Sequence, residues 1–186
     1  MRIIAGEFRG RILKAPHGLT VRPTGDRARE TLFDILGPRV VGTRFLDLFA
    51  GTGAVGLEAL SRGAAEAVFV ENHPPALTAL RANVEALGLG GRVRVLAGDW
   101  RAMLRILARE GSRFDIAFAD PPYDTDLGDA CLRSPEAGAM LKSGGLAILE
   151  QRRSTPPPEA PPGFRMSRSR RAGESLFSFY AREDVT

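Results

Sequence analysis

Phe45-Leu46-Asp47-Leu48-Phe49-Ala50-Gly51-Thr52-Gly53-Ala54-Val55-Gly56 passes from an apolar run through a glycine turn into a second apolar run. The first part reads as a buried strand and the second, from Val55 to Ser61, as a helix closed by Gly63. The turn matches G-x-G-x-x-G between a strand and a helix, the context that gives the pattern meaning. Glycines there let backbone approach a ligand closely, and the helix N-terminus offers N–H groups. The same spacing also serves as a purely structural turn.

Working outward, strand-like and helix-like periods keep alternating. Ala67–Val70 is a strand. Pro75–Leu87 is a helix with Leu77, Leu80, Val84 and Leu87 on one face, closed by Gly88. Val93–Leu96 is a strand, Trp100–Ala108 a helix and Phe114–Ala119 a strand. Residues 126–141 contain a helix interrupted near Pro135, and Gly145–Glu150 is a further strand. This order predicts an α/β fold, a doubly wound Rossmann-like sheet. The alternation stops at Ser154. Residues 155–163 hold five prolines and read as an extended connector. Phe164–Arg171 and Ser175–Ala181 then form a hairpin turning near Gly173, which makes the sheet mixed. On the N-terminal side, residues 2–13 alternate around Gly6 and Gly10 as a short hairpin. A helix starts at Asp26, with Ala28, Leu32, Ile35 and Leu36 on one face, and ends at Pro38.

The 186 residues suit one domain with a small appendage, divided here as a hairpin extension, residues 1–20, and a main domain, residues 21–186. A 44% hydrophobic and 26% charged composition is that of a soluble globular protein. No apolar run reaches the roughly 20 residues of a membrane span, and Met1–Gly6 lacks a signal-peptide core. One cysteine, Cys131, excludes an internal disulfide and fits a reducing cytoplasm. With two histidines and that cysteine, no metal site is expected. The net charge is +4, nearly all of it arginine. Arg2, Arg9, Arg11, Arg22, Arg27 and Arg29 crowd the N-terminal end, and Arg165, Arg168, Arg170 and Arg171 form a second cluster. Two basic ends around a neutral middle suit an anionic macromolecule, although an arginine-rich solvated surface gives the same pattern.

The strand ends carry the chemistry. Open α/β sheets bind ligands at the carboxyl ends of their strands. Glu71, with Asn72 beside it, ends the second strand and can accept ribose hydroxyls. Asp99 follows the third strand and can accept from an adenine amino group, or equally cap the next helix. Trp100 offers a ring to adenine, or equally a core anchor. Asp47, inside the first strand, repels a pyrophosphate but attracts a sulfonium or an ammonium. It therefore favours S-adenosylmethionine over NAD as the ligand of Ala50, Gly51, Thr52 and Gly53. The fourth strand closes on Asp120-Pro121-Pro122-Tyr123, a stiff platform whose carboxylate, proline carbonyls and ring suit a planar amino group.

Leu46–Gly53, Glu71, Gly98-Asp99-Trp100 and Asp120-Pro121-Pro122-Tyr123 together resemble class I S-adenosylmethionine-dependent methyltransferases. Arg2–Arg11, Arg22-Pro23-Thr24 and Arg27-Ala28-Arg29-Glu30-Thr31-Leu32-Phe33 are similar to the signatures of the RsmD family. The resemblance runs from residue 2 to about 150, with an echo in Gly173–Tyr180. It implies a seven-stranded mixed sheet whose last two strands are antiparallel. It implies methylation of guanine N2 in 16S ribosomal RNA, with naked RNA, an assembly particle or the small subunit as partner; a monomer is expected because no exposed apolar helix stands out in the sequence. By the same resemblance Asp120, Pro121, Pro122 and Tyr123 are catalytic. Arg22, Thr24, Asp47, Ala50, Gly51, Thr52, Gly53, Glu71, Asn72, Asp99, Trp100 and Asp120 hold the methyl donor, and Arg2, Arg9, Arg11, Arg27 and Arg29 hold RNA. The platform alone would hold the amine of adenine about as well as that of guanine, whereas enzymes acting on a protein glutamine resemble this chain less, because their element begins with Asn rather than Asp. An NAD-dependent oxidoreductase and a non-catalytic RNA-binding module are the readings from other classes.

Overall fold

A computed structural model describes residues 1–16, 25–122 and 125–183. Arg22, Thr24 and Tyr123 therefore lie outside the described residues.

Five parallel strands form as the periodicity predicts: β1 (Arg44–Leu48), β2 (Glu66–Glu71), β3 (Val93–Ala97), β4 (Phe114–Ala119) and β5 (Leu141–Arg152). β6 (Phe164–Ala172) and β7 (Ser175–Arg182) add the antiparallel hairpin. The order is β3-β2-β1-β4-β5-β7-β6, with β7 antiparallel to β5. This is the seven-stranded mixed sheet of the class I methyltransferase fold. The order reverses between β1 and β4, so the crevice of a doubly wound sheet opens at their carboxyl ends. β5 starts earlier than expected, because a register shift between Phe114 and Ile116 carries pairing back to Leu141.

Side chains alternate across the sheet, so each face buries one set. On one face Phe45, Phe69, Phe118, Ile148, Phe177 and Phe179 pack against α1 (Asp26–Leu36), α2 (Ala54–Ser61) and α3 (Pro74–Ala86). On the other, Leu46, Val68, Ala119, Leu149 and Tyr180 meet α4 (Trp100–Arg109), α5 (Leu127–Leu132) and α6 (Pro135–Met140). Each fully buried Phe contributes roughly 1.5–3 kcal/mol. The interruption near Pro135 proves to be a complete break. α5 ends before it, and Ser134 caps α6 by accepting from Ala137 N at 3.2 Å.

The N-terminal arm closes as a narrow hairpin, with one antiparallel bridge between Arg2 and Ile12 and Ile3 N donating to Arg11 O at 3.0 Å. It is stitched to the main body. Ile3 and Leu13 are 1% and 3% exposed within the core. Glu58, fully buried on α2, accepts from Ile4 N at 2.8 Å, Ala5 N at 3.0 Å and Arg62 Nε at 2.7 Å.

Candidate active site

The carboxyl ends of β1, β2 and β4 bring Asp47, Glu71 and Asp120 to the end of the sheet where the glycine turn lies. Alternation puts all three on the face covered by α1, α2 and α3. The three glycines of the turn have different reasons. A Cβ on Gly53 would sit 2.3 Å from Leu80 Cδ1, and one on Gly56 would sit 2.3 Å from Phe69 Cε1. Both are packing glycines. Gly51 has φ +56° and open space where its Cβ would be, which leaves its backbone accessible to a ligand. Phe49, two residues before it, is also in the left-handed region at φ 63°. Strain of this kind in a non-glycine residue concentrates at functional sites. Ala50 and Thr52 are themselves buried, with Ala50 N donating to Val70 O at 2.9 Å.

Polar side chains hold the turn in place. Glu71 accepts from Gly51 N at 2.6 Å through one oxygen, and from Asn72 N and His73 N at 2.8 Å through the other. A carboxylate has about four lone-pair sites, so one on the oxygen facing Gly51 stays available. Asp47 accepts from Gly56 N at 2.9 Å and is buried. Burial pushes its carboxyl up to about 7, Gly56 N–H opposes the shift, and Glu71 and Glu150 add to it. A buried acid poised near neutrality becomes ionised when a cation arrives.

Asp99 takes the capping role open to it. Its Oδ1 accepts from Arg101 N at 2.9 Å and Ala102 N at 3.4 Å, while the residue stays exposed beside the crevice. Only one of its oxygens is committed to the helix, so the other can accept from a ligand. Trp100 corrects an expectation. It is 5% exposed in the core, with the Phe49 ring 6.2 Å away and the Arg101 guanidinium 4.4 Å over its own ring. It anchors α4, the core role that the sequence left open beside the adenine one.

At the end of β4, Asp120 is half-buried, Pro121 buried and Pro122 exposed. Pro122 O already accepts from Thr125 Oγ1 at 2.7 Å. Pro121 follows Asp120 directly in the chain and is the first of the two prolines that close β4. The Asp120 carboxylate and the Pro121 carbonyl are acceptors on adjacent residues with no competing N–H on either proline.

Of the arginines assigned to RNA, Arg2, Arg9, Arg11 and Arg27 are exposed. Arg2, Arg9 and Arg27 line one groove of about 500 Å³ between the arm and α1. Arg11 donates to Ala86 O at 2.7 Å. Arg29 is corrected: it is fully buried, donating to Arg2 O at 2.6 Å and to Asp26 Oδ1 at 3.0 Å. It ties the arm to α1 and is not available to RNA. Its place in the helix signals this, since residues 29, 32, 33 and 36 fall on the buried stripe.

Two further residues went unread in the sequence. Asn83, 1% exposed on α3, accepts from Lys14 N at 2.7 Å and donates to Lys14 O and Thr52 O, both at 3.1 Å. It locks the arm to the glycine turn. Glu150, 1% exposed at the end of β5, accepts from Ser175 Oγ at 2.5 Å and is a fourth acid on this sheet face. A polar residue inside an apolar stripe is the signal for both.

The chain matches the protein family described as Conserved hypothetical protein 95, the RsmD family, over residues 1–181. An Escherichia coli K12 relative named Ribosomal RNA small subunit methyltransferase D is 37% identical over 183 residues, covering 98% of this chain and 90% of that protein. Bacillus subtilis YlbH is 35% identical over 180 residues, covering 97% and 98%. The solved structure of Escherichia coli yhhF is similar at a TM-score of 0.84 and 38% identity, with 98% of each chain covered. The chain belongs to this family.

Proposed function

We propose that this member of the RsmD family is an S-adenosylmethionine-dependent methyltransferase acting on the exocyclic N2 amino group of a guanine in 16S ribosomal RNA. The observation that carries the reading is Asp120, half-buried at the end of β4 and followed by two prolines, at the switch-point end of the sheet. The open Gly51 turn and the buried Asp47 carboxyl fit a cationic nucleoside, and the name of the Escherichia coli relative supports ribosomal RNA as the substrate. S-adenosylmethionine supplies an activated methyl group when bound. Glu71 and Asp99 would hold its ribose and adenine, and Asp47 would balance its positive charge.

The chain's own residues do the rest. The exocyclic nitrogen of guanine is a poor nucleophile because its lone pair is delocalised into the ring. Asp120 accepts one N–H and the Pro121 carbonyl the other, which draws the nitrogen towards tetrahedral geometry and frees the lone pair. Positioning of this kind supplies most of the rate when the methyl donor is already activated. Asp120 then receives the proton that the cationic product nitrogen loses. Tyr123 would stack on the extruded base and offset unstacking of a few kcal/mol. Arg2, Arg9, Arg11 and Arg27 on the arm, residues 1–20, would hold phosphates for the main domain, residues 21–186. The substrate is free RNA, an assembling particle or the small subunit, and the enzyme acts as a monomer.

Mass-spectrometric mapping of 16S RNA from cells lacking the gene tests this directly. One guanine should lose its N2-methyl and regain it on complementation. Complementation with Asp120→Ala should not restore it, although the purified variant binds S-adenosylmethionine within about threefold of wild type; a loss of ~10²–10⁴ in turnover is expected. An unchanged guanine pattern, or a missing N6-methyladenine in its place, overturns the assignment.

A further inference from the structure

The carboxyl ends of the parallel strands share their end of the sheet with the β6–β7 turn, because β7 is antiparallel to β5 and β6 antiparallel to β7. The register fixes the level. Phe177 pairs with both Glu150 and Arg170, and Leu149 pairs with Ala119. Arg170 therefore lies in the same transverse row as Asp120, three strands away. At about 4.8 Å per strand that is about 14 Å. β5 continues past this row to Arg152, so the β5-β7-β6 corner rises as a rim beside the platform.

The proline-rich connector leaves from this corner, where Arg153 N donates to Glu174 O at 2.7 Å, and is tied lower down by Tyr180 Oη, level with Ala147, donating to Pro158 O at 2.8 Å. Its first residues and the end of β6 line a cleft of about 540 Å³ whose polar lining is Arg153, Ser154, Thr155, Ser169, Arg170 and Arg171. All three arginines are exposed. None of them forms an ion pair with a described carboxylate, whereas Arg165, at the other end of β6, is paired with Glu183 at 3.0 Å. The cationic end of the edge strand is thus the end that faces the crevice. Guanidinium forks match phosphate oxygens, and the three hydroxyls add donors to them.

We propose that this cleft is a second RNA site, holding backbone phosphates of the strand that flanks the target nucleotide. The inference rests on the reading of the chain as an RNA methyltransferase. Drawing one base into the crevice leaves its neighbours on the surface. A cationic rim level with Asp120 holds them while the base is out. The arm grips from the α1 side of the sheet, and this cleft grips from the β6 edge.

The test uses the full chain and a 16S RNA substrate, with binding followed over a salt series and methylation followed at steady state. Arg153→Ala/Arg170→Ala/Arg171→Ala should lower the slope of log K against log salt by about 2, since each phosphate contact contributes ~0.7–0.9. KM for RNA should rise tenfold or more, kcat at saturating RNA should stay within twofold, and S-adenosylmethionine affinity should not change. The corresponding triple Lys variant keeps the charge and should recover most of the slope. Arg39→Ala/Arg109→Ala/Arg113→Ala removes the same charge at the opposite end of the sheet and should leave slope and KM unchanged. If the triple alanine chain does not fold, Arg171→Glu alone should still lower the slope.

Equal weakening by the opposite-end variant would reduce the effect to net charge and overturn the site. So would an unchanged slope accompanied by self-association, which would make these arginines guards of an exposed edge strand. A wild-type chain that binds 16S RNA without methylating it refutes the proposed function, and the salt slope still reads the cleft.

Discussion

At the residue scale the site depends on acids kept out of water. Asp47 has its folded-state carboxyl raised to about 7, against an ordinary value of 3.8. The folded state therefore holds the proton more tightly than the unfolded chain. The stabilisation is fully present below about pH 4 and is lost as pH rises through 7. The ligand-free Asp47→Asn chain should thus be more stable than wild type at pH 8 by a few kcal/mol, with the gap closing towards pH 5, measured by urea unfolding. Wild-type affinity for S-adenosylmethionine should rise between pH 6 and pH 8, because the cation favours ionised Asp47, and calorimetry in buffers of different ionisation enthalpy should detect proton release at pH 6. In Asp47→Asn both pH effects should vanish. Gly51→Ala separates ligand from fold. Its Cβ meets open space, so only the left-handed strain of about 1–2 kcal/mol falls on stability. S-adenosylmethionine affinity should drop at least tenfold with the melting curve shifted by only a few degrees. A parallel fall in both would make Gly51 a packing glycine like Gly53.

At the element scale, the glycine turn, the strand ends and the helix starts were legible because each has a local cause. Proline opens α3, one residue earlier than read, Asp99 caps α4 as one of its two expected roles, and α1 closes at Gly37, φ 52°, directly before the Pro38 expected to end it. The arm was legible only as a hairpin. What holds it is contact with α2 and α3, through Glu58, Ser61 and Asn83, all distant in the chain. Gly6 shows how close that contact is. A Cβ there would lie 1.8 Å from the Ser61 carbonyl oxygen, on a backbone at φ +83°. Neither the helix backbone at Ser61 nor the left-handed backbone at Gly6 can yield, so Gly6→Ala should detach the arm. A loss of about 2–4 kcal/mol is expected, read as a Tm fall of roughly 5–15 °C and as new proteolytic cleavage before Lys14. Normal stability in Gly6→Ala would show that the arm docks more loosely than Glu58 and Asn83 indicate.

At the scale of the whole molecule, the arm is a poor target for deletion, because removing residues 1–14 also removes Ile3 and Leu13 from the core and leaves Glu58 without its backbone donors. Its RNA role is tested by charge alone. Arg2→Ala/Arg9→Ala/Arg27→Ala should weaken 16S RNA binding and lower the salt slope by about 2, with little change in Tm. An unaltered slope would return these arginines to ordinary surface. The strand–helix alternation, the glycine turn, Glu71 and the Asp120-Pro121-Pro122 platform were determined by the sequence itself, since they follow from side-chain period and backbone restriction over a few neighbouring residues. The tertiary structure alone decided that Arg29 is a buried tie, that Trp100 is a core anchor and that Asn83 joins the arm to the turn. It alone placed Arg170 level with Asp120. Each of these depends on which distant atoms come to lie within bonding reach, and that is fixed by the packing of faces and the order of strands rather than by any local preference of the chain.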